Sequence, residues 1–253
     1  MADFASLSGQ VAVVTGGSSG LGRAAAAALA AAGVNVAVLA RSRADLEETV
    51  REIAGSSRAA TVMAVPVDLA DSIAVMQAID QVRAELGPVD ILVNAAGTDV
   101  PGPVEKLDPA DWDRVLNVNL RAVFLLSKAV LPDMRSRGGG TIINISSVAG
   151  RRGWANASAY CASKFALTGL TQALAAEGRE HRIKVSLLYP GGMDTSWGSW
   201  TPSERGPRTA EADPATALPP AHVAELITWI AASHPDMVLN EITVTPMLEQ
   251  GWP

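Results

Sequence analysis

The sequence predicts an α/β protein, a single doubly wound domain with a mainly parallel seven-stranded sheet and helices on both faces. Three observations lead there. Seven short apolar runs recur along the chain, at residues 11–14, 34–39, 61–67, 91–93, 141–145, 183–188 and 241–244. Most are rich in Val and Ile without polar alternation, as expected of strands covered on both faces. Longer amphipathic stretches separate them, and alternating strands and helices give a parallel sheet with right-handed crossovers.

Taken in order, the first run leads into Thr15-Gly16-Gly17-Ser18-Ser19-Gly20-Leu21-Gly22 and then an Ala-rich stretch. Glycines let the backbone approach a pyrophosphate, and the following helix start offers free N–H groups and a positive dipole end. Residues 24–40 carry no charge, but Gly33 and Asn35 divide them into a helix and a buried strand, too short for a membrane span. Ser42 with Asp45 suits a capping box, and Asp108-Pro109 reads as an N-cap with a first-turn proline. Tyr160 and Lys164 lie four apart on a predicted helix, hence on one face. Between Pro190 and Pro220 stand six prolines together with Trp197 and Trp200. A structureless loop of that length is usually a lid or binding loop. The two aromatics favour a substrate lid at about residues 191–220 over a plain surface insertion.

The 253 residues suit one α/β domain, residues 1–253, without linker or repeat. A net charge of −6, from 20 basic and 26 acidic residues, argues against a nucleic-acid partner. The single cysteine, Cys161, excludes an internal disulfide and fits a reducing compartment. Residues 1–10 lack the features of a signal peptide, so a cytoplasmic protein with no membrane association is expected. His181, His222 and His234 show no ligand spacing, so no metal is expected. No Gly-x-Ser-x-Gly elbow surrounds Ser147, which disfavours a hydrolase.

The spacing Gly16-x-x-x-Gly20-x-Gly22 departs from the common G-x-G-x-x-G fingerprint. Thr-Gly-x-x-x-Gly-x-Gly resembles the short-chain dehydrogenase/reductase family, a Rossmann-like class, and the resemblance continues over nearly the whole chain. Asn94-Ala95-Ala96-Gly97 is similar to the family's Asn-x-Ala-Gly turn, and Asn117-Val118-Asn119-Leu120 to its asparagine-bearing helix motif. Ser147 followed by Tyr160-Cys161-Ala162-Ser163-Lys164 resembles its Ser and Tyr-x-x-x-Lys set. Pro190-Gly191-Gly192-Met193-Asp194-Thr195 resembles its Pro-Gly turn and threonine at the nicotinamide. The C-terminus departs from the family: Val244-Thr245-Pro246-Met247 stands where many members have a Val-Asp-Gly-Gly strand.

The resemblance implies an oxidoreductase that moves a hydride between a nicotinamide cofactor and a small-molecule alcohol or carbonyl. The implied catalytic set is Asn119, Ser147, Tyr160 and Lys164. The implied cofactor contacts are Gly16, Ser18, Ser19, Gly20, Leu21 and Gly22, then Arg41 and Ser42, Asp68 and Leu69, and Asn94, Ala95, Ala96 and Gly97. Tyr160, Lys164, Pro190, Gly191, Met193 and Thr195 complete them. Asp68 either accepts from the adenine amine, as its family equivalent does, or caps the chain from Leu69 onward. Arg41 occupies the end of the second strand, where an NAD enzyme places an acidic residue. NADP(H) is therefore expected rather than NAD(H).

A free tyrosine, with a pKa near ~10, is a poor base at neutral pH. Lowering it by about 3 units needs roughly 4 kcal/mol, and an ammonium about 4 Å away supplies on the order of that at an effective dielectric near 20. Lys164 is expected to provide a useful share of it, with the oxidised nicotinamide ring adding a second positive charge and burial opposing. Ser147 would hold the substrate oxygen, and Asn119 would position a water leading protons from Lys164 to solvent. Trp154, Met193, Trp197 and Trp200 suggest apolar walls and a moderately bulky, largely uncharged substrate. Ala162, Ala166, Gly169 and Ala173 recur at helical spacing, a smooth stripe suited either to the chain's own sheet or to a homo-oligomer, a tetramer in preference to a dimer. The competing function is a cofactor-binding scaffold or sensor without chemistry on the same fold.

Overall fold

The computed structural model describes residues 2–56, 60–197 and 215–249. Seven strands form one sheet: β1 (Val11–Thr15), β2 (Asn35–Ala40), β3 (Val62–Pro66), β4 (Ile91–Asn94), β5 (Gly140–Ile145), β6 (Ile183–Pro190) and β7 (Glu241–Val244). Their order is β3-β2-β1-β4-β5-β6-β7, and every neighbouring pair is parallel. Each apolar run read from the sequence is a strand, with ends shifted by one or two residues. Successive residues point to opposite faces. Ala12 and Val14 therefore join one core layer, and Val11 and Val13 the other. Both faces being covered explains why these strands carry no polar alternation.

The helices are α1 (Gly20–Ala31), α2 (Arg43–Ser56), α3 (Ser72–Leu86), α4 (Pro109–Leu116), α5 (Ala122–Ser136), α6 (Ser158–Gly178) and α7 (Pro220–Ala231). Leu21, Ala25 and Leu29 of α1 lie with Val223, Ile227 and Ile230 of α7 on one face of the sheet. Val75, Ile79 and Val82 of α3 lie with Leu126 and Val130 of α5 on the other. Asp108 accepts from Ala110 N–H at 2.8 Å with Pro109 in the first turn, as the sequence suggests. At α2 only half of a capping box forms: Ser42 Oγ accepts from Asp45 N–H at 3.3 Å.

Between α4 and α5 the helix does not stop. A π turn at Asn117–Arg121 joins them, so the helical run spans Pro109–Ser136. It is long and apolar enough to cross a membrane by length and composition, yet half of the apolar window is buried in the protein, as in a core helix. The strand order reverses between β1 and β4, and the carboxyl ends there leave the crevice in which such sheets bind ligands.

Candidate active site

A cleft of about 1120 Å³ runs along the carboxyl ends of the strands. Its first wall is the turn between β1 and α1. Gly16 and Gly17 N–H both donate to Leu39 O, at 2.8 and 3.3 Å, which folds the turn back over β2. Gly16 has a positive φ of 71°. A Cβ on Gly22 would lie 2.2 Å from Gly16 O, so only glycine lets α1 start this close to the turn. Ser19 precedes α1 in extended conformation without a side-chain cap bond, and no acidic residue occupies the first turn. The helix start thus offers uncapped N–H groups and a positive dipole end to the cleft, which suits a pyrophosphate.

At the far lip Arg41 and Ser42 line the cleft beyond β2, and Asp68 and Leu69 line it beyond β3. Asp68 makes both of the bonds expected of a cap and of a charged partner. Its carboxylate accepts from Ala70 N–H at 3.0 Å and from Arg114 Nη1 and Nη2, each at 3.4 Å. Burial opposes ionisation there, but the Ala70 N–H and the Arg114 and Arg41 guanidinium groups outweigh it and lower the pKa.

The candidate catalytic cluster stands at the end of β5 and on α6. Ser147 follows β5; its Oγ accepts from Ala149 N–H at 3.1 Å, and its hydroxyl is near enough to the Tyr160 phenol to act on its ionisation. Tyr160, Ser147 and Lys164 all line the cleft while being nearly buried. Lys164 Nζ donates to Ile145 O at 2.8 Å and lies 5.6 Å from the Tyr160 ring centroid. Burial pushes the Lys164 pKa down to about 8, so the ammonium persists at neutral pH. The expectation that Lys164 lowers the Tyr160 pKa is not met in this state. Burial is the largest influence on the phenol and raises its pKa, Asp99 and Cys161 adding to it, with only the Ser147 hydroxyl acting the other way. The lysine points its charge at Ile145 O, not at the phenol oxygen.

Two residues expected at the site stand behind it. Asn94 does not line the cleft; its Nδ2 donates to Asn144 Oδ1 at 2.8 Å, and Asn144 Nδ2 donates to Thr171 Oγ1 at 2.9 Å, a buried chain linking β4, β5 and α6. Asn119, in the π turn, also sits outside the lining. Its Oδ1 accepts from Thr98 N–H at 2.8 Å, while Nδ2 donates to Thr98 O at 2.9 Å and Ser163 Oγ at 3.0 Å. The amide clamps the loop after β4 to α6, so its side chain is not open to the water it was expected to position. The π geometry aims it there; such turns cluster at functional sites.

The remaining wall is aromatic. Trp197 stacks obliquely on Tyr160, centroids 5.3 Å apart at 42°, and its N–H donates to Thr195 Oγ1 at 3.1 Å. Trp154 and Met193 also line the cleft. Cys161 is buried and its Sγ accepts from Trp154 N–H at 3.4 Å, which points it away from a nucleophile's role. Of the expected lid, residues 191–197 and 215–220 are described and meet at a Met193–Leu218 bridge; Trp200 lies outside the described residues. Sequence reasoning missed Arg23, Arg114, Thr98 and Glu249, which line the cleft. Arg114 stood five residues before Asn119 as a possible signal; nothing local marks Glu249.

With this geometry, the chain belongs to the short chain dehydrogenase family, whose sequence profile matches residues 10–205. It is 42% identical over 195 residues to a short chain dehydrogenase of Pseudocercospora fijiensis, covering 76% of this chain but only 62% of that relative's length. It is 42% identical over 193 residues to the L-xylulose reductase of Mesocricetus auratus, covering 76% of this chain and 75% of that one. The crystal structure of a metagenomic short-chain oxidoreductase in complex with NADP superposes with a TM-score of 0.81 at 37% identity, covering 96% of this chain and all of that one.

Proposed function

We propose that this protein is an NADP(H)-dependent oxidoreductase that interconverts a small alcohol and its carbonyl, with Tyr160 as the proton donor to the carbonyl oxygen. The observation that carries the reading is the buried Ser147–Tyr160–Lys164 cluster facing the cleft opposite an uncapped α1 start. When bound, the nicotinamide would supply the hydride. Gly16 to Gly22, with Ala95, Ala96 and Gly97, would cradle the pyrophosphate and ribose, Arg41 and Ser42 the 2′-phosphate end, and Asp68 and Leu69 the adenine. Pro190, Gly191, Met193 and Thr195 would hold the carboxamide end. The chain's own residues do the rest. Ser147 and Tyr160 orient the substrate oxygen, and the buried phenol keeps its proton until an oxygen gaining negative charge accepts it. Lys164 stabilises the phenolate left behind, at a distance where a charge counts for more than in water. Trp197 and Trp154 keep that exchange away from bulk solvent.

NADP-bound relatives of the same fold and the positive groups Arg41 and Arg114 at the lip support NADP over NAD. The L-xylulose reductase relative makes hydroxylated carbonyls a sensible first panel. Composition and the lone cysteine fit a cytoplasmic location. A homo-oligomer, by preference a tetramer, is supported by α6: Ala166, Gly169 and Ala173 are exposed, not packed on the chain's own sheet. Leu116, Leu120, Phe124, Ala166 and Leu170 line an apolar groove beside them, with Phe165 47% exposed. The test is to follow NADPH oxidation against a carbonyl panel with wild type and Tyr160→Phe. Turnover in wild type, falling by about 100-fold or more in the variant with cofactor binding kept, is the expected result. A variant retaining most of the activity removes Tyr160 from this role, and wild-type inertness with intact NADPH binding favours the scaffold reading.

A further inference from the structure

The C-terminal segment that departs from the family's pattern is built into the cleft. After β7 the chain turns at Pro246, where Glu249 N–H donates to Pro246 O at 3.1 Å. Leu248 N–H donates to Ala215 O at 2.8 Å, and Gly191 N–H to Val244 O at 2.9 Å, so this turn bridges both strands of chain that flank the cleft beyond β6. It delivers Glu249 to the cleft lining, with Oε2 accepting from Gly192 N–H at 2.9 Å. A Cβ on Gly191 would meet that oxygen at 1.8 Å, so the carboxylate takes the space a side chain at this position would fill.

The charged side chains of the cleft divide by location. Arg23, Arg41, Asp45, Asp68 and Arg114 lie at the β1–β3 end, and only Lys164 and Glu249 among the described lining residues lie at the β5–β6 end. Lys164 is turned to Ile145 O. A carboxylate has about four acceptor positions, and one of Glu249's is used by Gly192. Asp99, on the loop after β4, is half-buried and near enough to raise the Tyr160 pKa, adding a second negative group on this side.

We infer that Glu249 is a specificity-determining residue: it selects carbonyl substrates carrying a hydrogen-bond donor, a hydroxyl or an ammonium, away from the reacting carbon, and rejects those carrying a carboxylate. This rests on the oxidoreductase reading above. An anion would meet like charge in a site partly shielded from water, whereas a donor satisfies the open acceptor positions.

The experiment uses the full chain with NADPH and three methyl ketones that share an ethylene spacer and end in a hydroxyl, an ammonium or a carboxylate. Wild type is expected to disfavour the carboxylate by about tenfold or more in kcat/KM, equivalent to ~1.4 kcal/mol. Glu249→Gln, which keeps the shape and the acceptor for Gly192, should raise the carboxylate-to-hydroxyl ratio by about tenfold and lower the ammonium-to-hydroxyl ratio. Glu249→Lys should carry both changes further. Ratios within one variant cancel any general loss of activity, and thermal melts report folding. Whichever of hydroxyl and ammonium wild type prefers identifies the donor. Turnover with ratios unmoved in both variants overturns this inference alone; no turnover of any ketone by wild type overturns the oxidoreductase reading and this one with it.

Discussion

At the β1–β2 end of the cleft, Gly16, the consecutive residues from Ser18 to Arg23 and the run Ala40, Arg41 and Ser42 make most of the wall. At the β6 end the wall comes from residues 190–193, 195–197, 216 and 249, held together by the Met193–Leu218 bridge and the Glu249–Gly192 bond. The first is a local device, in which backbone shape and a helix start recognise a charge that every nucleotide carries. The second is assembled from pieces distant in the chain. A local device tolerates little change in its own residues; an assembled wall can change its contents while the frame persists.

The most damaging way to break the first end is Gly22→Ala. The new Cβ would press on backbone atoms at 2.2 and 2.5 Å, which no rotamer change relieves. A loss of about 3 kcal/mol in folding stability and of measurable NADPH binding is expected, read by denaturant melts and by cofactor titration. An unaltered melt would mean that the turn is softer than its contacts imply.

The middle of the cleft is probed through Lys164. Its folded pKa is about 8 against an ordinary 10.5, so between those values the unfolded chain holds a proton the folded chain has released. Stability gains from this residue as pH rises through the window, and below pH 8 the buried ammonium is a standing cost. Across the window wild type should gain on the order of 3 kcal/mol relative to Lys164→Met. Parallel pH–stability curves for the two proteins would contradict that.

Arg41→Asp sharpens the comparison at the lip. Losing a charge-assisted grip on the 2′-phosphate is worth roughly 1.5–3 kcal/mol, or about 10- to 150-fold in the NADPH-to-NADH ratio of kcat/KM. Wild type preferring NADH would count against the assignment. The smallest effect is expected at the assembled wall: Trp197→Ala, which removes the ring lying on Tyr160, should raise substrate KM by roughly two- to tenfold, from about 0.5–1.5 kcal/mol of aromatic contact. Identical kinetics for every substrate would remove Trp197 from the substrate wall.

Much of this was legible in one dimension. Unbroken Val- and Ile-rich runs mark strands covered on both faces, and Asp108-Pro109 marks a helix start, because each reflects a preference acting over a few residues. The glycine turn and the Tyr160–Lys164 pair were readable for the same reason. Asn94 and Asn119 were legible as important but not as to where they act: both amides turn inward to hold neighbouring elements together, a matter of packing partners 21 to 50 residues away. The direction of the phenol's shift was not legible, because spacing reveals a neighbouring charge but not how deeply both groups are buried.

By itself the sequence determined the strand–helix alternation, the glycine turn before α1 and the placing of Tyr160 and Lys164 on one helix, all properties of short segments with strong local preferences. Only the tertiary structure decided the strand order, the π turn that aims Asn119 at Thr98, the burial that raises the Tyr160 pKa, and the return of the C-terminal turn that brings Glu249 to Gly192. These depend on which distant segments share one low-dielectric space. That is a property of the open sheet and its two helical layers, and no window along the chain contains it.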